Sequence, residues 1–254
     1  MEHNEEIRKA AEIIKNSNNV VVFTGAGAST ESGIPDFRSP GGLWSKYDPD
    51  VYASYFLFLK DPKPFWTMHL EVSEMCLNAE PNPAHYAIVD LEKMGKLKVI
   101  ITQNVDMLHQ KAGSGSINNV PIFELHGAFG DLYCMKCRKT YVHDDIKNLL
   151  SDESQVVPHC ECGGVIKPTA VLFGEQLPLG VIDGAFNACN NCDCLIMIGT
   201  SLVVSPANRV PFVAKNSGAK VIFVNKDDSS LEYMMDVFLK GLCGEILPQI
   251  IEHL

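Results

Sequence analysis

The residues able to do chemistry fall into three groups: a glycine-rich segment, paired thiols, and a histidine beside glycine. Gly25 to Pro40 reads GAGASTESGIPDFRSP and follows the apolar run Val20 to Thr24. A GxG after a strand brings bare main chain to a ligand and suits a phosphate or dinucleotide cradle, with a tight turn as the plainer alternative. The third glycine of the dinucleotide fingerprint would fall at Thr30, so the fingerprint is incomplete. Cys134 and Cys137 form CxxC, and Cys160 and Cys162 follow in PHCECGG. Two close thiolate pairs roughly twenty residues apart have the spacing of a structural zinc site, whose four ligands leave no position for water. Buried free thiols are the alternative. The second pair is one residue tighter than the usual knuckle, while His159 and Cys162 stand at the usual interval, so three cysteines and one histidine form a rival set. Cys189, Cys192 and Cys194 lead into the apolar run CLIMI without a clean fourth ligand and read as small core residues. His126, in ELHGAFG, is placed as a general base near a ligand would be. His85 and His109 lie inside helix-like patterns and read as packing or surface residues.

These groups must be positioned by an alternation of helices and apolar strands. Residues 5 to 16 place Ile7, Ala10, Ala11 and Ile14 at helical spacing before the run at Val20. From Gly41 to Pro83 the pattern loosens into an aromatic stretch and a helix over 64–77, a helical insert. A helix over 82–95 then precedes the strand Val99 to Thr102, and Val120 to Glu124 reads as another strand. After the cysteine segment the alternation resumes. A helix ending at Ala185 to Cys189, a strand Cys194 to Ile198, a helix over 207–216, a strand Lys220 to Asn225 and a last helix over 245–252 complete it. Buried strands separated by helices imply an α/β fold with a mostly parallel sheet covered on both faces. In such sheets ligands bind beyond the carboxyl ends of the strands, so GAGAS, TQNVDMLHQ and GTSL should converge on one crevice, with Asn225 as a fourth edge.

Composition narrows the class. The 254 residues approach what one core supports, so a large domain with a smaller appendage is expected. Apolar residues at 46% and charged residues at 20% exclude disorder. A net charge of −10 argues against nonspecific nucleic-acid binding. Nine clustered cysteines behind the polar start MEHNEEIRK predict a reducing, cytoplasmic setting, with metal favoured over disulfides. No apolar run approaches the ~20 residues that cross a bilayer.

With GAGAS, GIPDFR, TQNVD, LHG, the paired cysteines, FGE, GTSL and VN in this order, the sequence resembles the sirtuins, the NAD-dependent protein lysine deacylases, over almost its whole length. The resemblance implies a Rossmann-like NAD-binding domain from residues 1–41, 84–130 and 168–254. The helical insert 42–83 and a zinc-binding module 131–167 would form a smaller domain, with an acyl-lysine peptide in the cleft between the two. Gly25, Ala26 and Gly27 would cradle the pyrophosphate with Arg38, and Ser29, Asp36 and Phe37 would extend that loop over the bond to be broken. Gln103 and Asn104 would contact the nicotinamide ribose, and Asp106 would hold the carboxamide. Gly199, Thr200, Ser201 and Asn225 would hold the adenosine half, with Cys243 also on the cofactor. The implied zinc ligands are Cys134, Cys137, Cys160 and Cys162.

In the mechanism that the resemblance implies, the acyl oxygen attacks the anomeric carbon, and His126 accepts a proton so that the ribose 2′-hydroxyl can attack in turn. Asn104 would assist. The products are free lysine, nicotinamide and an O-acyl-ADP-ribose. Val171, Leu172, Phe173, Gly174 and Glu175, with Leu202, Val203 and Val204, would clasp the substrate backbone as an added strand. ADP-ribosyl transfer to protein is the neighbouring alternative. A hydride-transfer dehydrogenase fits less well, because no acidic residue stands about twenty positions after the glycines at a strand end. Ala28 departs from the isoleucine or valine common in the family and is expected beside the nicotinamide pocket, where it would weaken feedback inhibition. Succinyl-selective members carry tyrosine and arginine where this chain has His69 and Val72, so neutral acyl groups are expected, acetyl first.

Overall fold

The computed structural model describes residues 4–150 and 155–254. Helix α1 (Asn4–Asn16) leads into β1 (Val20–Thr24), and a 3-10 turn over Ala26–Ser32 follows. The short α2 (Leu43–Lys46), α3 (Pro49–Tyr52) and α4 (Tyr55–Lys60) precede the long α5 (Lys63–Asn78). Then come α6 (Pro83–Lys93), β2 (Leu97–Thr102), α7 (Leu108–Ala112) and β3 (Ile122–Glu124). The cysteine segment contributes β4 (Asp131–Cys134), β5 (Thr140–Val142), α8 (Ile146–Leu149) and β6 (Ile166–Pro168). The remainder is α9 (Leu179–Asn190), β7 (Cys194–Ile198), α10 (Val210–Asn216), β8 (Lys220–Asn225), β9 (Val237–Lys240) and α11 (Cys243–Glu252).

Six strands form one parallel sheet in the order β3-β2-β1-β7-β8-β9. The order reverses at β1, so the chain leaves the sheet on opposite sides of β1 and β7 and opens a crevice there. Alternation along the strands divides the core in two. Val20 and Val22 of β1 face a layer built by α1, α6 and α11, with Ile14, Ile88 and Ile246 among its members. Val21 and Phe23 face the layer of α9 and α10, with Ile182, Ala185 and Val210. Cys189 and Cys192 lie buried in the second layer and Cys194 in the first, which is the core role their alternation predicted.

A third core lies outside the sheet, where the helical insert meets the three-stranded antiparallel sheet β5-β4-β6. Trp66 is its centre, fully buried, with its indole Nε1 donating to Ile166 O at 3.1 Å. Phe58, Phe65 and Phe129 pack around it, so residues 42–83 and the cysteine segment share one apolar cluster although other elements separate them in sequence.

The expected elements recur with shifted ends. β3 is shorter than 120–124, because Pro121 has no N–H for the ladder. The helix expected over 207–216 begins as a 3-10 turn and becomes α-helical at Val210, with Pro211 in its first turn, where proline is tolerated. Strand β9, which edges the sheet, has no counterpart in the sequence reading. Residues 1–3 and 151–154, within the ranges 1–41 and 131–167, lie outside the described residues.

Candidate functional site

The carboxyl ends of β1, β2, β7 and β8 open onto one cavity of about 1400 Å³, which extends between the sheet and the third core. Its floor is made by glycines. A Cβ on Gly25 would meet Gly199 O at 2.8 Å, and one on Gly27 would meet Gly199 Cα at 2.8 Å. Gly199 itself has φ +58°, and a Cβ there would fall 2.2 Å from Ala28 N. The loops after β1 and β7 therefore touch backbone to backbone, and the missing side chains serve that contact. The Gly25 and Gly27 amides donate to Ile198 O at 3.0 Å and Gly199 O at 2.8 Å. Both residues line the cavity, but their amides are committed, and Ala26 in the first turn of the 3-10 segment is left to offer an N–H.

Behind the floor lies a polar network. Asn104 Nδ2 donates to Ser29 Oγ at 3.1 Å, and Ser29 Oγ donates to Asp106 Oδ2 at 2.7 Å. Burial raises the Asp106 carboxyl above its ordinary range, against the opposing bonds from Leu108 N and Ser29. Gln103 Nε2 donates to Thr200 Oγ1 at 2.9 Å, tying the end of β2 to the loop after β7. Thr24 Oγ1 donates to Thr102 Oγ1 at 2.8 Å and stands 2.9 Å from His109 Nε2, so His109 carries its proton on Nε2. His109 is thus a buried support under the site.

His126 lines the cavity with its Nδ1 2.9 Å from Gln103 O. A carbonyl only accepts, so Nδ1 holds the proton and Nε2 of the neutral ring presents a lone pair. Burial lowers its pKa, and the Gln103 bond offsets part of that shift. The ring is neutral at pH 7 and able to take a proton.

The loop after the glycines is ordered by its own side chains. Asp36 Oδ1 accepts from Arg38 N at 3.1 Å and Ser39 N at 2.8 Å, so this carboxylate shapes the loop it sits in. The Arg38 guanidinium lines the cavity and makes no ion pair among the described residues. Phe37 packs 5.1 Å from Trp44, and Trp44 lies 6.1 Å from Phe173, so an aromatic row joins this loop to the expected clasp. A smaller cavity of about 30 Å³ adjoins the large one, with Ile34, Phe37, Asn104 and Asp106 in its wall. Ala28 is absent from that wall. Its methyl is buried in the core layer of α6 and α11, which overturns the expectation that it borders a nicotinamide pocket.

Ser201, Asn225 and Cys243 line the far end of the large cavity with Gly199 and Thr200. On the near side the segments 171–175 and 202–204 both border it. Phe173 is already paired: its N–H donates to Ala53 O at 2.8 Å and its carbonyl accepts from Tyr55 N at 2.9 Å. Val171 O, Gly174 N and O, and Val203 N and O make no hydrogen bond among the described residues, which leaves two facing edges for an added strand. The reading from sequence missed the apolar wall at this end, Leu43, Trp44, Phe65, Met68 and Phe129. The aromatic stretch of the insert was the available signal. His69 lies behind that wall, stacked 5.4 Å from Phe65 and edge-on to Trp66 and Phe129, and Val72 borders the smaller cavity.

Cys134, Cys137, Cys160 and Cys162 bring four sulfur atoms within 4.8 Å of one another. Lys136 N and Cys137 N point at Cys134 Sγ at 3.4 and 3.5 Å, and Tyr141 Oη donates to Cys160 Sγ at 3.1 Å. Four converging thiols with N–H and O–H donors around them fit a tetrahedral zinc ion. His159 is turned away, with its Nδ1 3.0 Å from Val157 O, so the four-cysteine set is the one the fold assembles.

A parallel sheet with a glycine-floored crevice, a neutral histidine and a four-thiol module defines a dinucleotide-using enzyme braced by a structural metal. A family model for the Sir2 family matches residues 25–206. The chain is 47% identical over 252 residues to NAD-dependent protein deacylase 2 of Archaeoglobus fulgidus, covering 98% of this chain and 96% of that protein. It is 42% identical to an NAD-dependent protein deacetylase of Sulfurisphaera tokodaii, over 98% of this chain and 96% of that one. Among solved structures, a Sir2 complex with p53 peptide and NAD⁺ is similar with TM-score 0.87 and 34% identity, covering 99% of this chain and 98% of that one. A Sir2 bound to deacetylated p53 peptide and 3′-O-acetyl ADP-ribose gives TM-score 0.90 at 34% identity, over 97% of each. The chain belongs to the Sir2 family.

Proposed function

We propose that this protein removes acetyl and other neutral acyl groups from protein lysines with consumption of NAD, releasing nicotinamide and O-acyl-ADP-ribose, in the cytoplasm. The observation that carries the reading is His126, a neutral imidazole with Nδ1 fixed by Gln103 O, standing between the glycine floor and the two open backbone edges. NAD, when bound, supplies a glycosidic carbon able to accept the acyl oxygen. Ala26 N and Arg38 bind the phosphates, and Ser201, Asn225 and Cys243 border the adenosine end. Asp106, held by Ser29 and Leu108 N, receives the carboxamide in the smaller cavity. Asn104, fixed by Ser29 and Thr102, and Gln103 orient the ribose. Phe37 excludes water from it, and His126 Nε2 takes the proton of the attacking hydroxyl. The four cysteines hold zinc, which supports the strands β4, β5 and β6.

The division into a sheet domain of 1–41, 84–130 and 168–254 and a small domain of 42–83 and 131–167 is supported by the separate third core. The lysine reaches His126 through the apolar wall of Leu43, Phe65, Met68 and Phe129, which favours neutral acyl groups. Mass spectrometry of NAD and an acetyl-lysine peptide tests the reading. Free lysine and O-acetyl-ADP-ribose are expected with wild type and absent with His126→Ala, whereas ADP-ribose attached to peptide would overturn it in favour of transfer.

A further inference from the structure

Lys167 is the central residue of β6 and has no exposed side-chain surface, an unusual place for an ammonium group. Its Nζ donates to Pro168 O at 3.1 Å and Ala170 O at 2.8 Å and pairs with Glu175 Oε2 at 2.9 Å, so its three hydrogens meet three acceptors. The same Glu175 oxygen accepts from Leu172 N at 3.0 Å, and Glu175 N donates to Leu172 O at 3.0 Å. Tyr133 of β4 places its ring 5.9 Å from the ammonium. One buried cation thus grips the start of the segment 168–175 through two carbonyls and its end through Glu175. Glu175, expected on the substrate, is turned inward on this network.

We propose that Lys167 is a positioning residue for the acyl-lysine backbone, holding the segment 168–175 in the one form that offers a free edge beside His126. This inference rests on the deacylase reading. Val171 N donates to His126 O at 2.8 Å, so the gripped segment is also tied to the backbone of the histidine. The groups left unbonded, Val171 O and Gly174 N and O, stand between the anchored atoms Ala170 O, Leu172 N and Glu175. A buried ion pair of this kind adds little to stability compared with apolar residues of the same size. Its consequence is geometric. Without it, Pro168 O, Ala170 O and Leu172 N lose their partners, and the edge no longer has a fixed register relative to His126.

The test compares steady-state kinetics and melting temperature of the full chain as wild type, Lys167→Met, Lys167→Arg and the double variant Lys167→Met with Glu175→Met. The double variant removes both charges together, so it folds without a stranded carboxylate. In that variant the peptide KM is expected to rise about tenfold or more, with the NAD KM within about twofold of wild type, while the melting temperature falls because Pro168 O, Ala170 O and Leu172 N lose their partners. Lys167→Arg, which keeps a cation that can bond the same acceptors, is expected to recover part of the peptide KM. A double variant with a native peptide KM, whatever its melting temperature, would overturn the inference. An unmodified protein gives a second reading: Leu172 N should exchange its hydrogen more slowly than Gly174 N, and equal rates would also overturn it. Failure of wild type itself to deacylate would count against the deacylase reading instead.

Discussion

Ala28 shows how one methyl can be misread from a motif. It lies next to Ser29 in sequence, yet its side chain turns away from the site into the layer of Ala84 and Ile88. Ala28→Ile would add three carbons to a filled core and is expected to lower stability by about 1–3 kcal/mol. The inhibition constant for nicotinamide should stay the same, because the smaller cavity is walled by Ile34 and Phe37. Ile34→Ala, which enlarges that cavity, is the substitution expected to change it, and a nicotinamide titration of both variants decides the matter. Glu92 is a residue of the opposite kind, a fully buried carboxylate outside the cavity. Its oxygens accept from Gly115 N at 2.8 Å, Ile117 N at 3.2 Å and Asn118 N at 2.9 Å, which fastens the loop after α7 to α6. Glu92→Ala leaves three amides without an acceptor and is expected to cost about 3 kcal/mol or more in urea denaturation. A loss under 1 kcal/mol would mean that water replaces the carboxylate.

At the scale of elements, the three strands β4, β5 and β6 are too few and too short to stand without support. Their support is Trp66, bonded to Ile166 of β6, together with the four thiols. Cys160→Ser is therefore expected to abolish zinc retention measured by atomic absorption and to expose this module to proteolysis. His159→Ala should keep a full equivalent of metal, and loss of zinc in that variant would contradict the ligand set. Much of this was legible in the sequence. The buried strands β1, β2, β7 and β8 announced themselves as apolar runs with polar ends, and the sheet brings those ends to one crevice. The paired thiols gave the metal site directly. What was not legible depends on contacts between distant segments. The Gly25 and Gly27 spacing says nothing of Gly199, which they touch, and Lys167 reads in sequence as an ordinary surface residue. Strand β9 escaped because VFLK is too short to show a period of two. The apolar wall escaped because its members come from separate segments, Leu43 and Trp44 from the single turn α2, Phe65 and Met68 from α5 and Phe129 from the loop before β4, and only the third core brings them together.

For the whole molecule, the layers that meet at the crevice share a vulnerability to acid. His69 lies in the third core, and His85 and His109 lie together beneath β1 and β2 with their rings 5.1 Å apart. Burial lowers all three, His69 to about 3, His85 to about 4 and His109 to about 3, against an ordinary value of 6.5. Neither nitrogen of His69 has a partner among the described residues, nor do His85 Nε2 and His109 Nδ1, so no acceptor is in place to receive an added proton. The sign follows from which state binds more protons. Below about pH 6.5 the unfolded chain protonates these histidines while the native one does not, so their contribution is complete above 6.5 and is lost as pH falls toward 4 and 3. Asp106 and Glu124, both raised by burial, act in the opposite sense, because the native state takes up their protons first. They offset part of the loss as pH falls through their raised native values toward unfolded values near 4. Each histidine contributes up to about 1.4 kcal/mol per pH unit, and three together up to about 4 kcal/mol. Urea denaturation at pH 7, 6 and 5 is expected to show stability falling with a slope to which these three rings add up to three protons, and His126, also lowered by burial, adds a further part. His69→Phe, which keeps an aromatic ring against Phe65 and Phe129, should reduce that slope by one proton. A stability that stays level from pH 7 to 5 would show that the three rings are not buried neutral.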